Sequence, residues 1–372
     1  MTAILSDIIG ILNELAPPSL AEEWDNVGLQ IGRPDWPIRS IWVALDPSPV
    51  VIHAACNAKI DLLVTHHPLM LTPIRNIDFR STTGAIIRAA AVHQLAVFSA
   101  HTNLDSVKGG VNDVLADMIG LSECTPMIRG TGENKVKLVL FVPEDYEETI
   151  LEALFQTAAG HIGEYSCCAF IGRGHGTFLP GKGTRPFVGE SGALTRVAEV
   201  RIETVVPEKE LSQVLAHVRR YHPYETMAYD VYPLAGTFDD AGIGRFGVFG
   251  EAMPLETLAV NLKRKMNLPW IRFIGRKDLT VTNAALCSGS GSSLISRFLA
   301  SKADVLISGD LRYHDARTIE EAGRGAIDIG HFASEQIILK PLADKLRAAI
   351  TGKGYPVMVD ACSLEKDPFW II

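Results

Sequence analysis

Short, predominantly apolar runs alternate along this chain with longer segments whose apolar residues recur at helical spacing. In the first stretch, residues 41–45, 62–65 and 96–99 have strand length and no polar face. Amphipathic segments at 6–15, 49–58 and 83–93 predict helices. Pro17-Pro18 stop the first of these, and Pro49 opens the second. Strands apolar on both faces and separated by helices predict a parallel sheet covered on both sides. The last stretch repeats the pattern. It has predicted strands at 284–287, 305–308, 327–329 and 357–360, and its clearest helices at 292–300 and 315–322.

The middle differs. Predicted strands at 136–142, 165–171, 197–206 and 227–233, with helices at 146–159 and 208–221, give the order βαββαβ, a ferredoxin-like plan. Its flanks, Gly130-Thr-Gly132 and Gly236-Thr-Phe-Asp-Asp-Ala-Gly242, are rich in turn residues. The expected fold is therefore α/β, a two-lobed unit (1–129 and 239–372) interrupted by an insert at 130–238.

Composition narrows the class. At roughly 150 residues per domain, 372 residues predict two or three domains. Hydrophobic residues at 47% and charged ones at 21% exclude intrinsic disorder. A net charge of −8 gives no support for a protein that coats nucleic acid or an anionic membrane. No apolar run approaches the roughly 20 residues of a membrane span. The first twenty residues hold Asp7 and Glu14 and no base ahead of the apolar stretch, so they do not read as a secretory leader. The six cysteines (56, 124, 167, 168, 287 and 362) form no C-x-x-C pair and read as reduced thiols of a cytoplasmic protein.

The chemistry gathers at predicted strand ends. His66-His67 follow the strand at 62–65, and His101 and Asp105 follow the strand at 96–99. In Asp328-Ile-Gly330-His331-Phe-Ala-Ser-Glu335, His331 ends the strand at 327–329 and Glu335 lies four residues on, and Ser308-Gly-Asp310, Tyr313 and His314 close the strand at 305–308. In open α/β sheets, ligands bind outside the carboxyl ends of strands. Adjacent imidazoles suit two neighbouring ions better than one. The i, i+4 spacing of His331 and Glu335 places both on one helix face. Histidine with carboxylate, and no cysteine, suits Zn, Fe, Mn, Co or Ni.

The strings Glu23-Trp-Asp-Asn-Val-Gly28, Thr65-His-His-Pro68, His101-Thr-Asn-Leu-Asp105, Ser308-Gly-Asp310 and Gly330-His-Phe-Ala-Ser-Glu335 resemble those of the NIF-three-like family, whose members are often labelled GTP cyclohydrolase type 2 homologues. The middle stretch, with His222-Pro-Tyr-Glu-Thr-Met-Ala-Tyr-Asp230, resembles the PII/CutA-like insert of the family's longer bacterial members. The resemblance implies two divalent ions per chain: His66 and Asp105 on one, His67 and His331 on the other, Glu335 bridging. It implies a supporting or substrate-contacting role for His101, and Asp310, Tyr313 and His314 at the mouth. It also implies a homohexamer of two trimers, with inserts capping a ring.

Other signals read as structural. Gly172-Arg-Gly-His-Gly176 looks like a phosphate loop but falls in a predicted hairpin. Ser288-Gly-Ser-Gly-Ser-Ser293 reads as a tight turn, with anion binding as the alternative. Trp24 reads as a packed aromatic, and Asp25 and Asn26 as caps or braces. His175, His222 and Glu225 read as surface residues, with a small auxiliary site as the alternative. His53, His93 and His217 read as structural or exposed.

Two functions follow. One is a metal-dependent hydrolase for a small phosphorylated or purine-type compound, in which His101 or His314 shuttles a proton. The other is a non-enzymatic protein that stores or delivers metal, or senses a small effector through the insert. Either expects a small-molecule partner and self-association, with no membrane or nucleic-acid partner.

Overall fold

In the computed structural model, residues 2–129, 135–163, 165–234 and 240–371 are described. The turn-rich flanks at 130–132 and most of 236–242 fall outside them. The chain divides into two compact units: Met1–Gly130 with Phe238–Ile372, and Thr131–Thr237.

The first unit holds two large mixed sheets. One has five strands in the order Met358–Ala361, Ser40–Ala44, Leu62–Thr65, Ala96–Ser99, Gly28–Ile31. All run parallel except Gly28–Ile31, which is an antiparallel edge. Its central strands are buried on both faces, as their unbroken apolar runs require. Ile41 and Val43 face the helices Leu5–Leu15 and Leu339–Gly352. Leu63 and Val97 face Pro49–Asn57 and Thr82–His93.

The second sheet has six strands in the order Arg272–Ile274, Gly325–Asp328, Val305–Gly309, Thr280–Ser290, Gly242–Pro254, Leu121–Arg129. Only Thr280–Ser290, Val305–Gly309 and Gly325–Asp328 are mutually parallel. The expectation of a purely parallel sheet in each stretch is therefore corrected: antiparallel strands extend both sheets. The alternation of Gly242–Pro254 carries polar and glycine positions that mask its length in the sequence.

The sheets also do not follow chain order. The strand Met358–Ala361, which belongs to the last stretch of the chain, pairs with Ser40–Ala44 of the first. Conversely, Leu121–Arg129 crosses to the second sheet through Gly242–Pro254. A buried guanidinium supports this exchange. Arg245 is 1% exposed, pairs with Asp113 of the helix Val111–Ile119, and donates to the carbonyls of Gly242 (2.6 Å) and Gly244 (2.8 Å).

The second unit is one antiparallel sheet in the order Tyr229–Pro233, Lys135–Pro143, Thr195–Pro207, Ala169–Phe178. Alternate residues Val136, Leu138, Leu140 and Val142 pack with Val200 and Ile202 beneath the helices Glu147–Phe155 and Leu211–Val218. The predicted helices at 146–159 and 208–221 are shorter than expected, and the strand predicted at 165–171 is shifted to Ala169–Phe178. Glycines at 172, 174 and 176 hide that strand from an apolar-pattern reading. No described helix is long and apolar enough to cross a membrane. All six cysteines are free.

Candidate metal centre

The carboxyl ends of strands from both sheets of the first unit converge. Leu62–Thr65 delivers His66 and His67, and Ala96–Ser99 delivers His101 and Asp105. Gly325–Asp328 leads into the short helix His331–Glu335. Backbone bonds fix the first turn: His66 N donates to Ala44 O (3.1 Å), and His67 N to Leu45 O (2.9 Å).

The side chains meet at the Glu335 carboxylate, which is 4% exposed. Its Oε2 lies 3.0 Å from His67 Nε2 and 3.0 Å from His331 Nε2. His66 Nε2 lies 3.7 Å from Glu335 Oε1 and 3.8 Å from Asp105 Oδ1. Ligand-capable atoms of His66, His67 and His101 lie within 4.8 Å of one another, as do those of His67, His331 and Glu335. Gly289, at φ +60°, makes room for the carboxylate, since a Cβ there would overlap Glu335 Oε1.

Each imidazole has its other nitrogen occupied by a pure acceptor. His66 Nδ1 is 3.0 Å from Ala100 O, and His67 Nδ1 is 2.8 Å from Asp46 Oδ1. His101 Nδ1 is 2.9 Å from Asp25 Oδ1, and His331 Nδ1 is 2.7 Å from Asp310 Oδ2. A carbonyl or carboxylate oxygen can only accept, so Nδ1 carries the proton in each ring. The neutral imidazole then presents its Nε2 lone pair inward, the arrangement found around metal-ligating histidines.

Charges follow this geometry. Burial disfavours the charged form of His67, but bonds to Asp46 and Glu335 outweigh it and push the group up to about 10. The Glu335 bond outweighs burial at His331, with help from Asp310, and raises it to about 9. Burial raises Asp105, against the pull of His66. Burial also opposes ionisation of Glu335, yet the three imidazoles hold it well below the usual carboxylate range. His66 Nε2 is buried with no hydrogen-bond partner, its nearest carboxylate oxygens being Glu335 Oε1 at 3.7 Å and Asp105 Oδ1 at 3.8 Å. Orphaned buried donors and acceptors are costly. A divalent cation satisfies such atoms, and this donor set fits one.

Several supports were not evident in the sequence. Asp46 orients His67, and it stands one residue beyond the strand run at 41–45, where the strand-end rule applied elsewhere would have found it. Glu365 accepts from Leu45 N and Asp46 N, both at 2.7 Å, and nothing in its local sequence marks it. Ser288 Oγ donates to Asp105 Oδ1 (3.0 Å), while Asn112 Oδ1 accepts from Ser288 N (2.9 Å). Gly289 N is taken by Ser334 Oγ (2.8 Å), so two amides of the 288–293 turn serve the site's frame. Asp310, at φ +53°, takes the left-handed conformation that aspartate tolerates.

Other residues stand apart. Asp328 pairs with Arg272 and accepts from Gly330 N, away from the Glu335 carboxylate. Tyr313 and His314 are exposed at the start of the helix Tyr313–Glu321 and meet each other edge-to-face rather than joining the cluster. Trp24, expected to pack, is 58% exposed and meets the His101 ring in an edge-to-face contact at 6.0 Å. Asp25 does brace, holding His101 and the Thr102 backbone. His222 is buried, which corrects its surface reading, because Phe141 O and Tyr224 N satisfy its two nitrogens. Beside His67 and His331 opens a cleft of about 770 Å³, lined also by Trp270, Arg272, Phe369 and Trp370.

These features define an α/β protein with a buried histidine–carboxylate centre between two mixed sheets. The family profile of Duf34/NIF3 (NGG1p interacting factor 3) matches residues 3–368, and the chain belongs to that family. It is 38% identical over 365 residues to a "GTP cyclohydrolase 1 type 2 homolog" of Halalkalibacterium halodurans, covering 98% of each chain. It is 37% identical to the Bacillus subtilis protein of the same description, covering 97% of each. Among solved structures, a Bacillus cereus protein related to NIF3 matches all of both chains at 34% identity and a TM-score of 0.73.

Proposed function

We propose that this centre holds two divalent ions: His66 and Asp105 on one, His67 and His331 on the other, Glu335 bridging. The observation that carries the reading is the inward convergence of Nε2 atoms on one buried carboxylate, with every Nδ1 tied to an acceptor. When bound, a pair of such ions supplies Lewis-acid polarisation and an activated water at neutral pH. The ions are of the Zn, Fe, Mn, Co or Ni class.

The reaction is hydrolysis of a small phosphorylated or purine-type compound admitted through the cleft at His67 and His331. Trp270 and Trp370 line it, and the Arg272 guanidinium lies 5.2 Å from the Trp270 ring centre while paired with Asp328. His101, fixed by Asp25, is the proton-transfer group nearest the cluster; His314 is the more distant alternative. The βαββαβ order of the second unit supports a ferredoxin-like, PII-like module. The assembly is a cytoplasmic homohexamer of two trimers.

Elemental analysis of gently purified protein tests the site: up to two transition ions per chain are expected, and none after reconstitution refutes it. Turnover of nucleotides, phosphoesters and cyclic amides by metal-loaded protein, lost in Glu335→Ala, tests the chemistry. Full metal content without turnover of any of them would favour storage or regulation.

A further inference from the structure

The second unit contains a cavity that the metal centre does not involve. It measures about 400 Å³ and lies on the sheet face opposite the helices. Antiparallel pairing puts Phe141, Glu199 and Gly174 on that face, with Gly176 one step along the same side. The glycines strip side chains from the floor. A Cβ at Gly176 would overlap the Glu199 carboxylate, so that glycine clears space for the group, while a Cβ at Gly172 or Gly174 would meet open space.

The walls are aromatic. Phe178 and Phe187 lie 6.1 Å and 6.3 Å, centroid to centroid, from Tyr224. Tyr146 backs Phe187 edge-on at 5.6 Å. Glu199, 8% exposed, lines the cavity and accepts one bond, from Tyr224 Oη at 2.7 Å. Glu225 lines the rim and accepts from Arg185 N at 3.0 Å. Among the described residues, no lysine or arginine lines the cavity and none lies within ion-pair distance of Glu199. The nearby Arg201, whose guanidinium carbon is 5.9 Å from the Phe141 ring centre, is paired with Glu203.

A buried carboxylate without a cation is costly unless a ligand supplies one. Ring faces around it attract a positive centre further. We infer that this cavity is a binding site for a small organic cation, an ammonium or quaternary ammonium compound, caged by Phe178, Phe187 and Tyr224 against Glu199. Its volume suits a small molecule rather than a macromolecular surface. The inference is independent of the metal reading.

Choline and its neutral isostere 3,3-dimethyl-1-butanol have the same shape and differ in charge. Ligand-observed NMR on the full chain, read at the trimethyl resonance, compares them directly. Choline should bind saturably, and the neutral isostere about tenfold more weakly or less well still. Glu199→Gln should remove that preference. Phe187→Leu, on a half-exposed loop side chain, should weaken choline binding even if the first variant folds poorly. Both variants should retain wild-type metal content, which separates this test from that of the metal centre. Equal binding of the two compounds, no saturable choline binding, or choline binding unchanged in Phe187→Leu would overturn the inference.

Discussion

Each imidazole at the centre has one nitrogen committed to a fixed acceptor, so in the proposed ion site ligand strength is set by residues outside the ligand set. Asp46→Asn should loosen His67 and weaken one ion about 10- to 100-fold, as loss of a histidine's supporting acceptor commonly does. Asp105→Ala should weaken mainly the other ion. Competition against a chromophoric chelator, read as two affinities, separates these outcomes. Protonation adds a second expectation. With His67 near 10 and His331 near 9, both rings are charged at pH 7 in the ion-free protein. Their pairing stabilises that form fully below the ordinary histidine value of 6.5, and this contribution is lost as pH rises through 9 to 10. Ions must displace these protons, so affinity should climb with pH and level off near 10. Calorimetry at pH 7 in buffers of different ionisation enthalpy should record proton release on ion uptake; an uptake enthalpy independent of buffer would contradict it.

At the scale of elements, the strands that carry the site were the legible ones. Runs such as Leu62–Thr65 are buried on both faces, so their pattern is unbroken and their carboxyl ends can be located. Antiparallel strands at the sheet margins, Gly242–Pro254 above all, mix glycine and polar residues because part of each is exposed, and no simple period marks them. Pairing partners were also hidden: nothing near Met358 indicates that its strand joins Ser40–Ala44 rather than its neighbours in sequence. The proposed ligand residues stood out because each follows a legible strand. Asp46 follows a strand with no histidine beside it, and Glu365 acts from an irregular segment with no local signal. The Arg245–Asp113 pair ties a strand of the second sheet to the helix that follows the Asp105 turn. Arg245→Met leaves Asp113 without its partner and should cost about 3 kcal/mol in denaturant unfolding. A loss under about 1 kcal/mol would show that the pair is dispensable.

For the whole molecule, the proposed hexamer predicts light scattering near six times 40.4 kDa. A monomer at micromolar concentration would end that proposal. Replacing 130–238 with a short Gly/Ser linker should preserve ion content, because all the proposed ligands belong to the first unit. Loss of ions on that deletion would place part of the site in the second unit. The central claim, a pair of ions bridged by Glu335, is tested most directly by anomalous diffraction from zinc-reconstituted crystals, collected above and below the zinc edge. Two peaks about 3.5–4 Å apart are predicted, one beside His66 and Asp105, the other beside His67 and His331, with Glu335 between them. A single peak, or none at the Glu335 carboxylate, would contradict the account.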